Sequence, residues 1–148
     1  MESDPDPGLK HMERLYDPEV CRSVTDLYPD YFTFDVESWL ANSANHAYVE
    51  GPNIGFGERK SRDGHYEVHF CFHGAKGREA ISLSKRMLKA LHNDTNFSLA
   101  VGLISEDNKR ARWLIRQVGL KSLGLTDTGK NGICEIFYLT KDYFNDGI

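Results

Sequence analysis

No apolar run in these 148 residues approaches the roughly 20 that a membrane-spanning helix needs, and the first residues lack the charged-then-apolar pattern of a secretory leader. Cysteine is scarce. Cys21, Cys71 and Cys134 have no C-x-x-C spacing, and their odd number argues for reduced, mostly buried thiols in a cytoplasmic setting rather than a disulfide framework. An excess of basic charge is also missing: 18 Lys and Arg stand against 22 Asp and Glu, a net charge of −4. Residues 1–11 contribute −2 of this (Glu2, Asp4 and Asp6 against Lys10), leaving −2 for the rest. Charge alone therefore does not call for nucleic acid as a partner. No internal repeat or low-complexity tract occurs.

What is present suits a globular core. Hydrophobic residues make up 40% and aromatics 11% of the chain, enough for one domain at this length. The opening MESDPDPGLKHM is polar and proline-bearing, and His11-Met12 has the look of a cloning junction. Residues 1–11 are accordingly expected to be an expression-tag remnant, with a single domain over 12–148.

The stretch His65 to Leu120 is the most structured in pattern. It reads as a strand (HYEVHFCF), a glycine turn into a helix (HGAKGREAISLSKRMLKALH), a second strand (FSLAVGLI) and a capped helix (SEDNKRARWLIRQVGL). In the first helix Ala80, Leu83, Ser84, Met87, Leu88 and Leu91 share one face, with Arg78, Glu79, Ser82, Lys85, Arg86, Lys89 and His92 on the other. Gly74 and Gly77 allow unusual backbone conformations at its start, where Lys76 and Arg78 add positive charge to exposed amides, an arrangement suited to a phosphate group. In the second helix Ser105, Asp107 and Asn108 are capping residues, Ala111, Leu114, Ile115 and Val118 form an apolar stripe, and Gly119 sits at a left-handed C-terminal cap.

Elsewhere, Met12–Tyr16 predicts a short strand, Pro18 with Val20, Val24 and Leu27 a first helix, and Asp35–Leu40 a second. Ala47–Glu50, Ile54–Arg59 and Tyr66–Phe72 predict strands, the last two joined by a turn at Ser61–Gly64, and Leu120–Thr126 and Ile133–Thr140 close the chain.

Read together, GAKGREA and VGLISEDNKRARWLIRQVGL resemble the GCN5-related N-acetyltransferase superfamily, over roughly the C-terminal two-thirds of the chain and with a look of its compact phage and prophage members. The resemblance implies an α/β acyl-CoA N-acyltransferase fold, with a mixed, mostly antiparallel central sheet flanked by helices in the order β-α-α-β-β-β-α-β-α-β-β. It implies acetyl-CoA as co-substrate, main-chain contacts to the pantetheine arm from Cys71, Phe72 and His73, a pyrophosphate loop at Lys76, Gly77, Arg78, Glu79 and Ala80, and a cofactor contact from Asn108. Asn108 is equally a plain helix cap. Two positions depart from the family pattern: Glu79 stands where a second glycine is expected, and Ile115 where many members carry a tyrosine that protonates the departing thiolate. Glu79 is expected to pair with a neighbouring base or to favour the positive helix end. Ile115 fits the core stripe.

Amine acylation needs a base and donors for the oxyanion. Glu67 and His69, with His65 and His73, fall on one face of the predicted strand and are the candidate bases, weighed against an ordinary polar strand face. Tyr138 is a substitute acid, weighed against packing. No metal site is expected, because on a strand His65, His69 and His73 spread over about 26 Å at roughly 3.3 Å per residue and cannot clasp one ion. Cys71, between Phe70 and Phe72, reads as packing. The basic run Lys109, Arg110, Arg112 and Arg116 reads as a solvated face or a neighbour of cofactor phosphates.

The acceptor side is expected from Leu27–Asn42 and Asp127–Gly132, where Tyr28, Tyr31, Phe32, Phe34 and Trp39 form a lid or a pocket. The expected partner is an amine, small molecule or protein, with no membrane and no nucleic acid. A homodimer is neither required nor excluded. The leading reading is a cytoplasmic N-acetyltransferase, in the host cytoplasm if phage-encoded. The alternative is a binding or virion-associated protein that keeps the fold without turnover, with a nucleic-acid module third.

Overall fold

In the computed structural model of the protein the description covers residues 13–14, 36–129 and 132–146. Alternating apolar residues give a seven-stranded sheet: β1 (Glu13–Arg14), β2 (Asn45–Glu50), β3 (Asn53–Ser61), β4 (His65–Cys71), β5 (Leu99–Ser105), β6 (Lys121–Asp127) and β7 (Ile133–Thr140). Its spatial order is β1-β2-β3-β4-β5-β7-β6, and every neighbouring pair is antiparallel except β4–β5. The helices are α1 (Val36–Ala41), α2 (Gly77–Thr95) and α3 (Lys109–Val118), and a 3₁₀ turn over Lys141–Asp146 follows β7. Among the described residues the elements follow the expected order. The helix predicted around Pro18, the aromatics Tyr28 to Phe34, Cys21 and residues 1–11 lie outside the described residues. No described helix is long and apolar enough to cross a membrane.

The apolar stripe of α2 lies on the sheet as its spacing predicts, with Ala80, Leu83, Ser84, Met87, Leu88 and Leu91 buried. Ala90 joins them. Two glycines of β3 let the helix come close. A Cβ on Gly55 would stand 2.6 Å from Met87 Sδ, and one on Gly57 would stand 2.7 Å from Leu91 Cδ1. A side chain at either position would force Met87 or Leu91 to move from its packed place. At the far end, Asn96 closes the helix in a left-handed conformation, its amide donating to the His92 carbonyl.

In α3 only Ile115 and Val118 are buried, while Ala111 and Leu114 of the same stripe are half-buried. Both border an open cleft, and Leu114 also packs against the edge of the core. Gly119 takes φ +106 at the C-terminal cap, as its position suggests, and the 3₁₀ turn locks this end when Tyr143 Oη donates to the Val118 carbonyl at 2.6 Å. That turn was not legible in the sequence. Phe144 stacks on His92 with ring centroids 4.4 Å apart, so the C-terminal turn closes over the end of α2.

Candidate active site

The site grows from the one parallel pairing. β4 and β5 pair over only His65–Leu99, Tyr66–Ala100 and Glu67–Val101, then separate. β5 stays paired with β7 along its whole length and β4 with β3, so the split between them is a feature of the sheet itself. A cleft of about 830 Å³ opens there, walled by Val68 and Phe70 of β4 and Phe72 just past its end on one side and Gly102 and Leu103 of β5 on the other, and roofed by the starts of α2 and α3. Its size suits an extended ligand.

One end of the cleft is an uncapped helix start. Lys76 is the N-cap of α2 with no side-chain cap bond; Glu79 and Ala80 amides donate to the Lys76 carbonyl, but the amides of Gly77 and Arg78 meet no acceptor among the described residues. Gly74 (φ +92) and Gly77 (φ +55) hold the left-handed conformations that turn the chain there. Free amides, a helix dipole and a cation make a site that accepts an anion. Lys76, Gly77 and Ala80 line the cleft, as Phe72 does.

Other predicted positions fall elsewhere. Arg78 is exposed and borders a groove on the outer side of α2 with Lys85, Lys89 and Tyr143. Glu79 is exposed in the first turn, without the basic partner expected of it among the described residues. Cys71 and His73 are not among the cleft-wall residues. His73 lies beyond the end of β4, its amide donating to Asn53 Oδ1 at 2.8 Å, so it does not continue the strand face of Glu67 and His69. Asn108 borders the cleft, and its Oδ1 accepts from the Ala111 amide at 3.1 Å, which is the cap geometry.

Near the apex of the split, the β3–β4 register sets Glu58 directly opposite Glu67. Lys60 bridges them, its Nζ 3.2 Å from Glu58 Oε1 and 3.1 Å from Glu67 Oε2, while Glu67 Oε1 lies 3.5 Å from His69 Nε2. Burial opposes the charge on Lys60, but the two carboxylates outweigh it and raise the pKa. Burial lowers the His69 pKa, with Lys60 acting the same way and Glu67 and Glu58 opposing, so His69 is the neutral imidazole at pH 7. His69 lines the cleft. Glu58 and Lys60 were missed in the sequence. The hairpin turn at Ser61–Gly64 was the available signal, since it folds β3 back on β4 and brings these residues onto Glu67. Tyr138 sits half-buried on β7 opposite Val101, across the sheet from α2, and is not a cleft-wall residue.

The basic run of α3 divides. Lys109 and Arg110 border the cleft, but Arg112 and Arg116 turn onto buried Glu135 of β7. Arg112 Nε donates to Glu135 Oε1 at 2.7 Å, Ser122 Oγ donates to Oε2 at 2.6 Å, and Arg116 pairs with the same oxygen. Neither a solvated face nor a phosphate neighbour describes Arg112 and Arg116. Trp113, 47% exposed, also stands at the cleft rim and was not anticipated.

No protein-family profile matches the chain, and no curated protein sequence does. Solved structures do. The spermidine N-acetyltransferase SpeG of Vibrio cholerae, as its F149A mutant, superposes with a TM-score of 0.74 at 13% identity, covering 93% of this chain and 99% of that one. A chimera of Vibrio cholerae SpeG and hSSAT gives 0.73 at 16% identity, covering 90% and 98%. The aminoglycoside acetyltransferase AAC(6')-Ib in complex with coenzyme A gives 0.67 at 14% identity, covering 91% and 98%. The architecture is the GCN5-related N-acetyltransferase fold.

Proposed function

We propose that the protein is an acetyl-CoA-dependent N-acetyltransferase acting on an amine. The observation that carries this reading is the cleft at the β4–β5 split, which joins an uncapped, cation-bearing helix start to a half-buried imidazole–carboxylate pair. Structural neighbours named as spermidine and aminoglycoside acetyltransferases support the same class.

The residues present fit such a co-substrate. The amides of Gly77 and Arg78, with Lys76, take the pyrophosphate, and the apolar walls from Phe72 and Leu103 take the pantetheine arm. Bound there, acetyl-CoA presents a thioester carbonyl to the incoming amine. The new C–N bond forms at that carbonyl carbon, the C–S bond breaks, and the amine gives up a proton to His69 or, through water, to Glu67. Glu67 stabilises the imidazolium that results, and Lys60 holds Glu67 in place beside Glu58. Tyr138 is the remaining described candidate for protonating the thiolate; it lies in the row Glu67–Val101–Tyr138 and so on the Glu67 side of the sheet.

The test is calorimetry of the purified chain with acetyl-CoA and with CoA, followed by turnover on a panel of small amines and amine-bearing peptides. Micromolar binding and turnover support the reading; no binding at millimolar ligand overturns it. His69→Ala and Glu67→Gln should lower kcat and leave CoA affinity nearly unchanged. With His69 as base, kcat/KM should rise with pH through a pKa below the ordinary histidine value of 6.5. Tight CoA binding with no turnover on any amine favours the competing reading, a binding protein that keeps the fold. Ile115, buried where many members of the fold place a tyrosine, is the observation on its side.

A further inference from the structure

His92 falls on the polar side of α2 in the sequence, yet its ring is half-buried among aromatics. Phe144 of the C-terminal turn stacks on it with centroids 4.4 Å apart, and Phe97 meets it edge-on at 5.2 Å. Phe97 and Phe144 also touch each other, at 5.8 Å, so three rings close a cluster where α2, the chain leading into β5 and the C-terminal turn meet. His92 Nε2 is buried there with no hydrogen-bond partner among the described residues. A neutral ring tolerates this, keeping its one proton on Nδ1 and turning a bare nitrogen to its neighbours. An imidazolium carries a proton on both nitrogens and must bury an N–H without an acceptor. The surrounding charges add to that cost. Lys89, three residues earlier on α2, repels a second cation at His92, and its Nζ already lies over the Phe144 ring at 5.6 Å, sharing the attraction that ring could offer. No carboxylate among the described residues offsets it: Asp94 of α2 accepts from Tyr48 Oη at 2.7 Å, Asp142 of the turn faces Asn145, Phe97 and Ser98 are uncharged, and Lys141 of the turn is a further cation. Burial, with Lys89 acting the same way, holds the His92 pKa below its ordinary 6.5.

We propose that this cluster is an acid-released latch: while His92 is neutral the turn Lys141–Asp146 stays docked on α2, and protonation of His92 lifts it off. Release gives Nε2 to water. It also undoes the other contact of the turn, where Tyr143 Oη donates to the Val118 carbonyl at 2.6 Å and the Tyr143 ring covers Gly119, its Cε2 standing 3.3 Å from where a Cβ on that glycine would be. The C-terminal end of α3 then loses its cover, and the start of the same helix borders the cleft. Tyr143 does not titrate in this range, because burial moves its pKa further above 10. Linkage fixes the sign. A histidine whose pKa is lower docked than free favours docking above the free value of 6.5, and that preference is lost as pH falls below it. At pH 5, with the docked ring still neutral, the opening equilibrium is about 30-fold greater than at pH 8.

Hydrogen exchange of the C-terminal peptide in the full chain, corrected for the intrinsic effect of pH on exchange, reads that opening. Protection over residues 141–146 should fall by about tenfold to thirtyfold between pH 8 and pH 5, while peptides from the middle of α2 keep theirs. His92→Phe, which leaves Phe144 a ring to stack on and removes the titration, should hold the turn's protection level across that range. Nuclear magnetic resonance supplies a second measurement: His92 should titrate below 6.5 in the wild type and return to that ordinary value in Phe144→Ala, where the stack is gone. Turn protection that does not change with pH in the wild type overturns the proposal, as does a His92→Phe chain that loses protection in acid to the same extent. A His92 that titrates at or above 6.5 in the wild type overturns it too, and decides the matter if His92→Phe does not fold.

Discussion

The two helices that roof the cleft are fastened to the same sheet by opposite means. α2 is held chiefly by apolar contact, its stripe pressed onto Gly55 and Gly57, with Arg86 paired to Glu50 of β2 and Asp94 accepting from Tyr48 at its flanks. α3 has only two buried apolar residues and is held by Arg112 and Arg116 on Glu135, itself 2% exposed. Their N-termini differ as well. α3 satisfies its own start through Asn108, whereas α2 leaves amides unpartnered. A helix that packs tightly can leave its end bare for a ligand, and one that depends on a buried charge needs its ends closed. Under the proposed function, this contrast puts the anion at the start of α2 and leaves the α3 cap a structural part.

The sharpest way to break the contrast is at Glu135. Glu135→Ala removes the acceptor of Ser122 and of two partly exposed guanidinium groups and should cost about 1.5–3 kcal/mol, read by urea unfolding. Burial alone disfavours the charge on Glu135, but hydrogen bonds from Ser122 and Arg112 and the charges of Arg116 and Arg112 outweigh it and hold the carboxyl below its ordinary range. The sign follows. A carboxylate with a depressed folded-state pKa contributes stability above its unfolded value of 4.5, and that contribution is lost as pH falls through the folded value. Wild-type stability should therefore fall more steeply in acid than that of Glu135→Ala.

The corresponding break under α2 is steric. Gly57→Ala drives a methyl group to within 2.7 Å of Leu91 Cδ1 in a packed core and should cost about 1–3 kcal/mol, insensitive to acid. Equal pH dependence of the two variants would remove the distinction between the helices.

How far these differences were legible depends on what carries them. The α2 stripe, the Gly119 cap and the last strand were readable because period 3.6, a lone terminal glycine and alternation are local signals. Gly55 and Gly57 gave no such signal, since their need arises only when α2 lies across β3. Arg112 and Arg116 looked like a wet face because pattern cannot distinguish a solvated arginine from one folded inward onto a carboxylate 19 or 23 positions away. The pairing of Lys60 with Glu67 has the same origin, a register between strands. For the candidate site, the uncapped helix start was legible in the residues themselves, whereas the split above Glu67–Val101 could be expected only through the family resemblance, because a divergence of strands leaves no trace in composition.

Asn108 sharpens the comparison at a smaller scale. Asn108→Ala removes the acceptor of the Ala111 amide and should cost about 1 kcal/mol of stability by thermal unfolding. If the side chain acts only as a cap, CoA affinity measured by calorimetry will match wild type once the variant is folded. A loss of affinity larger than the loss of stability would give α3 a direct part in holding the ligand.

The smallest expected effect separates the two sides of α2 itself. Lys76 borders the cleft, whereas Arg78, two residues on, borders the outer groove beside Lys85 and Tyr143. Both are exposed, so each charge is worth little and is screened by salt. Lys76→Ala should weaken CoA binding by about threefold to fivefold at low salt, on the order of 1 kcal/mol, with the difference shrinking as salt is added. Arg78→Ala should leave affinity unchanged at either ionic strength, because its backbone amide, not its guanidinium, lies at the free end of the helix. Equal losses from the two variants would mean that the guanidinium swings over the helix start to reach the ligand. A loss from Arg78→Ala alone would move the anion from the cleft to the outer face of α2, and the contrast between a bare α2 terminus and a capped α3 terminus would no longer explain where the phosphate sits.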